Sequence, residues 1–174
     1  MNKYLFLFLI FCMMGLTVHS QNPWELGAEF QRSMGQGYKK NMAGLRYESY
    51  NNKSSWSIGL TYNLSSKETY SQYRGFGIYA GYRYGFSSNN KNGNAFAGAR
   101  INFSFENFEG KNKVNGLSIT PAAEFGYHFI FVKHIFTSPC IEGGYTIRLT
   151  HINNSLQEDE GARFIPGLSV GYRF

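Results

Sequence analysis

Phe76-Gly77-Ile78-Tyr79-Ala80-Gly81-Tyr82-Arg83-Tyr84-Gly85-Phe86 decides the fold. Its even positions, Phe76, Ile78, Ala80, Tyr82, Tyr84 and Phe86, are all apolar or aromatic, while its odd positions hold Gly77, Tyr79, Gly81, Arg83 and Gly85. A period of two is the signature of a β-strand. The run is longer than the roughly five or six residues usual in soluble sheets, and about ten tilted residues are what a strand needs to cross a bilayer.

The same alternation recurs in both directions along the chain. Trp24, Leu26, Ala28 and Phe30 carry it first, followed by Ala43, Leu45 and Tyr47, then Trp56, Ile58, Leu60 and Tyr62. After the central run come Ala97, Ala99, Ile101, Phe103 and Phe105, then Leu117, Ile119, Pro121, Ala123, Phe125 and Tyr127. Pro139, Ile141, Gly143, Tyr145 and Ile147 precede the last set, Phe164, Pro166, Leu168, Val170, Tyr172 and Phe174. Polar turn segments fall at 35–40, 51–54, 65–72, 87–93, 107–115, 132–134 and 151–161. The pattern predicts eight strands.

The sorting of charge tells which face meets lipid. Lys39, Lys40, Lys53, Lys67, Lys91, Lys111, Lys113 and Lys133 all fall in the predicted turns. Arg46, Arg83, Arg100, Arg148, Arg163 and Arg173 lie within strands, on the same polar face as Glu25, Glu29, Glu48, Glu106, Glu124 and Glu142. Arginine suits a buried, paired cation because its planar fork binds carboxylates bidentately. The opposite face carries no charge, and a charge there would cost about 2–4 kcal/mol at the bilayer midplane. Trp24, Trp56, Tyr84, Phe86, Tyr127, Phe129, Tyr172 and Phe174 gather at one rim of an up-and-down barrel, with Phe30, Tyr62, Phe76, Phe103, Phe105 and Phe164 at the other. Paired aromatic girdles mark the two water–lipid interfaces. The reading is therefore an all-β fold: a closed antiparallel up-and-down transmembrane β-barrel of about eight strands.

Composition agrees. Charged residues are only 16 % of the chain and aromatic residues 18 %, where about a quarter charged is usual in soluble domains. Residues 1–20 read as a cleaved signal peptide, with Lys3 before the apolar run from Tyr4 to Val18, and residues 21–174 as the barrel. Cleavage after Ser20 leaves Gln21 first. A lipoprotein signal at Cys12 is disfavoured by Phe11 before it and Met13-Met14 after it. Removing the signal lowers the formal charge from +6 to +5 and leaves Cys140 as the single cysteine, too few for an internal disulfide. Nucleic-acid binding would need aromatics free to stack on bases, and here they are committed to lipid.

The final alternation, Leu168, Val170, Tyr172 and Phe174, carries a family resemblance. The chain resembles the small outer-membrane barrels of the outer-membrane-protein-A and -X type, and the signal followed by Gln21 resembles exported proteins of Bacteroidetes-like bacteria. The resemblance implies residence in the outer membrane, contact with its lipid and lipopolysaccharide, and recognition of the last strand by the barrel-assembly machinery. Pro121, Pro139 and Pro166 are each followed five and six residues later by Gly-Tyr, a faint repeat. Since proline lacks the ladder N–H, bulges or strand ends are expected near them.

The sequence assigns no catalytic, cofactor-binding or metal-binding residue. His128, His134 and His151 have no metal-ligand spacing, and Gly75, Gly77 and Gly81 lie on one strand face with no helix following, unlike a phosphate loop. Thr150-His151-Ile152-Asn153-Asn154 resembles the His-x-Ser-Asn stretch of the outer-membrane lipid A deacylases, but Asn153 stands where the nucleophile belongs and an amide cannot attack an ester. Ser155 would need a different register, and Glu158, Asp159 and Glu160 read as a solvated loop tip.

The favoured reading is a non-enzymatic barrel with a structural or surface-interaction role: envelope integrity, adhesion, or docking of an unknown surface partner through its loops. A lipid A-modifying hydrolase or its inactive relative is one rival. A narrow pore is the other, disfavoured because eight strands enclose an interior just wide enough for side chains to fill. Deleting Phe174 should lower the amount of barrel assembled in the outer membrane far more than Lys53→Ala does. Immunoblots of membrane fractions check this, and normal levels of the truncated chain would sink the assembly role of the last residue.

Overall fold

The computed structural model describes residues 22–35, 38–67, 72–86, 93–109, 113–131, 134–149 and 160–174. The proposed signal peptide, Lys91, Lys111, Lys133 and the 150–159 stretch with His151, Asn153 and Ser155 lie outside these residues. The strands are β1 (Trp24–Gly35), β2 (Tyr38–Asn51), β3 (Ser54–Lys67), β4 (Gln72–Gly85), β5 (Gly93–Glu109), β6 (Lys113–Phe131), β7 (Ile135–Arg148) and β8 (Gly161–Arg173). They form a closed barrel in chain order, every neighbour antiparallel, with β1 closing on β8. Closure satisfies the backbone groups that an open sheet edge would leave bare in hydrocarbon.

The faces fall as the alternation predicts. Ile58, Ile78 and Ile101 point outward, Ile58 with half its surface exposed. All six glutamates of the polar face are buried in the lumen, as are Arg46, Arg83, Arg100 and Arg163, while Arg148 and Arg173 are half-buried. An apolar outside around a charged inside inverts the order of a soluble barrel, and the chain is a transmembrane barrel on that ground.

The aromatic belt at the end holding Trp24 and Phe174 is nearly continuous. Trp24 stacks on Phe174 at 3.9 Å and meets Tyr47 at 5.9 Å, and Tyr47 meets Trp56 at 5.4 Å. Tyr127, Phe129 and Phe131 follow one another on β6, and His134 stacks on Tyr172 at 5.2 Å. The other belt includes Phe76 stacked on Phe105 at 4.9 Å, with Phe30, Tyr62 and Phe164 exposed at similar heights. Both described strand termini and the two-residue turn Asn52-Lys53, with Asn52 at φ 56°, sit at the Trp24 end. The longest connection, 149–160, joins strand ends of β7 and β8 that lie at the other. Outer-membrane barrels keep their longer loops on the extracellular side, so the Trp24 end, opposite the longest connection, reads as periplasmic.

Three expectations need correction. The strands run further outward than the alternation showed: β1 extends to Gly35 and β2 starts at Tyr38, so Lys39, Lys40, Lys67 and Lys113 belong to strands rather than turns. Above the bilayer both faces of a strand meet water, and the binary pattern fades there although the ladder continues. The outward face is also not free of charge, since Arg32 and Lys39 lie exposed on it at the outer rim.

Finally, the prolines neither end strands nor shift register. Around Pro121 and Pro139 the β6/β7 pairing keeps one register but skips the positions of Pro121 with Tyr145 and of Pro139 with Tyr127. Pro166 lies in a similar gap of the β1/β8 pairing, opposite Arg32. Each proline keeps its other neighbour (Pro121 with Ile101, Pro139 with Leu168, Pro166 with Ile141), because its missing N–H faces one side only. The faint repeat has a local cause in β6 and β7. A Cβ on Gly144 would come within 2.6 Å of the Pro121 carbonyl oxygen, and one on Gly126 within 2.5 Å of the Pro139 carbonyl oxygen.

Ile58→Lys should destabilise the barrel by about 2–4 kcal/mol in lipid. Urea unfolding in vesicles measures it, and an unchanged midpoint would contradict the lipid-facing assignment.

Candidate functional site

The functional architecture of this barrel is its lumen. Three guanidiniums, Arg46, Arg83 and Arg100, stand among four carboxylates, Glu29, Glu48, Glu124 and Glu142. Arg83 grips Glu124 with a two-pronged fork, Nε donating to Oε2 at 2.9 Å and Nη2 to Oε1. Its Nη1 also reaches Glu48 Oε2 at 3.3 Å. Arg46 Nη2 pairs with Glu48 Oε2 at 2.7 Å. Arg100 bridges three acids: Glu29 at 3.0 Å, Glu124 at 3.3 Å and Glu142 at 3.0 Å.

Neutral donors serve the carboxylates too. Tyr79 Oη donates to Glu29, Ser55 Oγ to Glu48, Ser169 Oγ to Glu29, and Gln31 Nε2 to Glu142 Oε1 at 2.9 Å. Every strand thus contributes to one layer. The guanidinium faces are covered by rings, Arg83 by Phe96 at 4.0 Å and Arg100 by Tyr79 at 4.1 Å. Such cation–π contacts are strongest where water is excluded. Gly59 makes room for Tyr79, whose ring would lie 2.3 Å from a Cβ at that position.

Arg46 and Arg100 are each 1 % exposed, which no water-filled channel through this layer would allow. Small spaces remain on either side. The outer one, about 40 Å³, lies among Ser33, Thr61, Ser104, Ser118, Thr120 and Thr146. The inner one, about 20 Å³, lies beside Asn94, Phe96 and His128. Their sizes suit about three waters and about one, respectively.

Each end of the lumen has its own ion pairs. At the periplasmic end Glu25 accepts from Tyr50 Oη at 2.9 Å and Arg173 Nε at 2.7 Å, with His128 Nε2 at 3.0 Å. At the outer end Lys40 pairs with Glu106, and Arg163 Nε donates to Thr146 Oγ1 at 3.1 Å.

The sequence placed the acids and arginines of this layer on one face correctly. It placed Gln31 there too, and missed Lys40, Phe96 and Phe136 as lumen residues. Extending the phase of the alternation would have found them, since Phe96 stands between the outward positions 95 and 97. Glu124, Cys140 and Glu142 bring ligand-capable atoms within 4.8 Å of one another. Both carboxylates there already face guanidiniums, so the positive charge is supplied by protein. His128 is buried in the lumen and His134 lies exposed on Tyr172, too far apart in role and place to act together.

No protein-family profile matches the chain, and no curated protein matches it either. Solved structures do. The chain is similar to the N-terminal β-barrel domain of Pseudomonas aeruginosa OprF, with a TM-score of 0.66 and 13 % identity over 90 % of this chain and 100 % of that one. It is similar to Neisserial surface protein A, with a TM-score of 0.63 and 14 % identity over 88 % and 96 %. It is also similar to Ail, the attachment invasion locus protein of Yersinia pestis, with a TM-score of 0.54 and 15 % identity over 88 % and 97 %. The fold shared with these proteins, together with the inverted polarity of its wall and lumen, makes this chain a small eight-stranded β-barrel of the outer membrane.

Glu124→Ala strips Arg83 of its fork partner and should cost about 3–5 kcal/mol. Glu142→Gln keeps Oε1 for Gln31 and Arg100 and removes one charge from a layer with more acids than bases; it should cost less than about 1 kcal/mol. Urea unfolding of the two variants beside wild type measures the contrast, and equal losses would contradict the specific pairing.

Proposed function

We propose that this barrel is a non-enzymatic wall protein of the outer-membrane-protein-A and -X type, with a structural or surface-interaction role at its outer end. The observation that carries the reading is the central layer of the lumen, to which all strands contribute and which leaves no path for a solute. Arginines ringed by acids lock the strands together and make a rigid platform for whatever the outer strand ends present. The structural neighbours lend support through their own roles: one is a surface protein, and another is an attachment invasion locus protein also solved with the heparin analogue sucrose octasulfate.

The proposal includes export by a signal peptide at 1–20 and recognition of β8 by the barrel-assembly machinery. The Trp24–Phe174 stack and the Phe174 N–H donating to the Trp24 carbonyl at 2.9 Å support the second, since they tie the last residue to the first strand where the barrel closes. Lipopolysaccharide is the expected lipid partner at the outer rim.

The purified barrel should give no steady conductance in a planar bilayer, and a stable open channel would overturn the closed lumen. Lipid A masses should be the same in cells with and without the chain. A missing acyl chain that depends on the protein would establish the hydrolase instead.

A further inference from the structure

Arg32 and Lys39 are exposed on the outward face of β1 and β2, at the rim opposite the Trp24 belt. Arg32 lies across from Asn41, and Lys39 lies across from Met34, one step further out on the same face. Diagonal neighbours of this kind are about 7–8 Å apart, within reach of two long side chains converging on one anion. No carboxylate occupies an outward strand position among the described residues, and neither cation has an ion-pair partner among them. Eight residues separate Trp24 from Arg32, which at about 3.4 Å per residue and a tilt of about 40° is roughly 20 Å of height. The apolar band of such barrels is about 25 Å tall, so both cations sit at the outer lipid–water boundary.

The wall beneath them is shaped as well as apolar. The next step down the ladder sets Phe30, Ala43 and Tyr62 side by side. The small Ala43 between two exposed rings leaves a notch directly under the cations. Below it, Leu45, Ile58, Leu60, Ile78, Ala80 and Phe103 border an outward hollow of about 560 Å³.

We propose that this face of β1–β4 is a binding site for one phosphorylated, multiply acylated lipid of the outer leaflet. Arg32 and Lys39 take a headgroup phosphate, and acyl chains run through the Ala43 notch into the hollow. The charge calls for an anion, and the apolar hollow, whose nearest lining residues Leu45 and Leu60 lie one ladder step below Ala43 and Tyr62, calls for a lipid rather than free phosphate. The proposal rests on the reading of this barrel as an outer-membrane wall with the Arg32 rim outward. It deepens the lipopolysaccharide partnership from the outer rim at large to a defined strip of wall.

Native mass spectrometry of the barrel in detergent, titrated with bis-phosphorylated hexa-acyl lipid A, tests the site. Wild type should retain one lipid A. Arg32→Gln with Lys39→Gln should weaken retention roughly thirtyfold, the effect of two interfacial cations. Ala43→Trp should weaken it with both charges intact, while Lys53→Gln in the periplasmic turn should change nothing. Millimolar inorganic phosphate should not displace the lipid. Equal retention by wild type and the double variant, indifference to Ala43→Trp, or displacement by inorganic phosphate would each overturn the lipid site. The closed, non-enzymatic reading stands or falls on conductance and lipid A masses, so failure of the lipid site leaves that reading intact.

Discussion

The fork of Arg83 on Glu124 is the interaction on which the rest of this barrel depends. A guanidinium and a carboxylate in a space without water are each too costly to bury alone, and together they hold only if their remaining hydrogen bonds are met. That requirement recruits the surrounding residues. Phe96 covers the guanidinium, Ser138 lies within 3.4 Å of Arg83 Nη1, and Arg100 carries the charge pattern onward to Glu29 and Glu142. Small residues follow from the same need, since large ones would fill the lumen before the arginines could cross it.

One consequence is that the layer cannot be assembled piecemeal. Glu29 comes from β1, while its partners come from β2, β4, β5 and β8. A sheet that had not yet joined β1 to β8 would present arginines and glutamates to acyl chains or leave them half-paired. Barrel closure and charge pairing are therefore one event, which favours a cooperative wall over a breathing one.

Much of this was legible in the sequence because the membrane enforces a binary rule. Ile58, Ile78 and Ile101 must be apolar, and Arg83, Arg100 and Glu124 must not meet lipid, so period and face could be read together. The strand ends could not be read so, because beyond the lipid band the outward face can carry charge, as it does at Lys39, and the rule lapses. The pairing within the lumen was also out of reach: alternation gives the side on which Arg100 lies, whereas its reach to Glu29, Glu124 and Glu142 depends on shear between strands far apart in the chain. Arg32 was missed for the first reason, and with Lys39 it gives the outward face of this rim its charge.

The proline gaps have a mechanical meaning. The pairing of β7 with β8 is unbroken, yet both pairings that bind this hairpin to the rest of the wall, β6/β7 and β1/β8, skip rungs at proline. The hairpin is therefore stitched internally more firmly than it is stitched to its neighbours. In a closed cylinder, a panel bounded on both sides by interrupted ladders is the unit expected to yield first under strain.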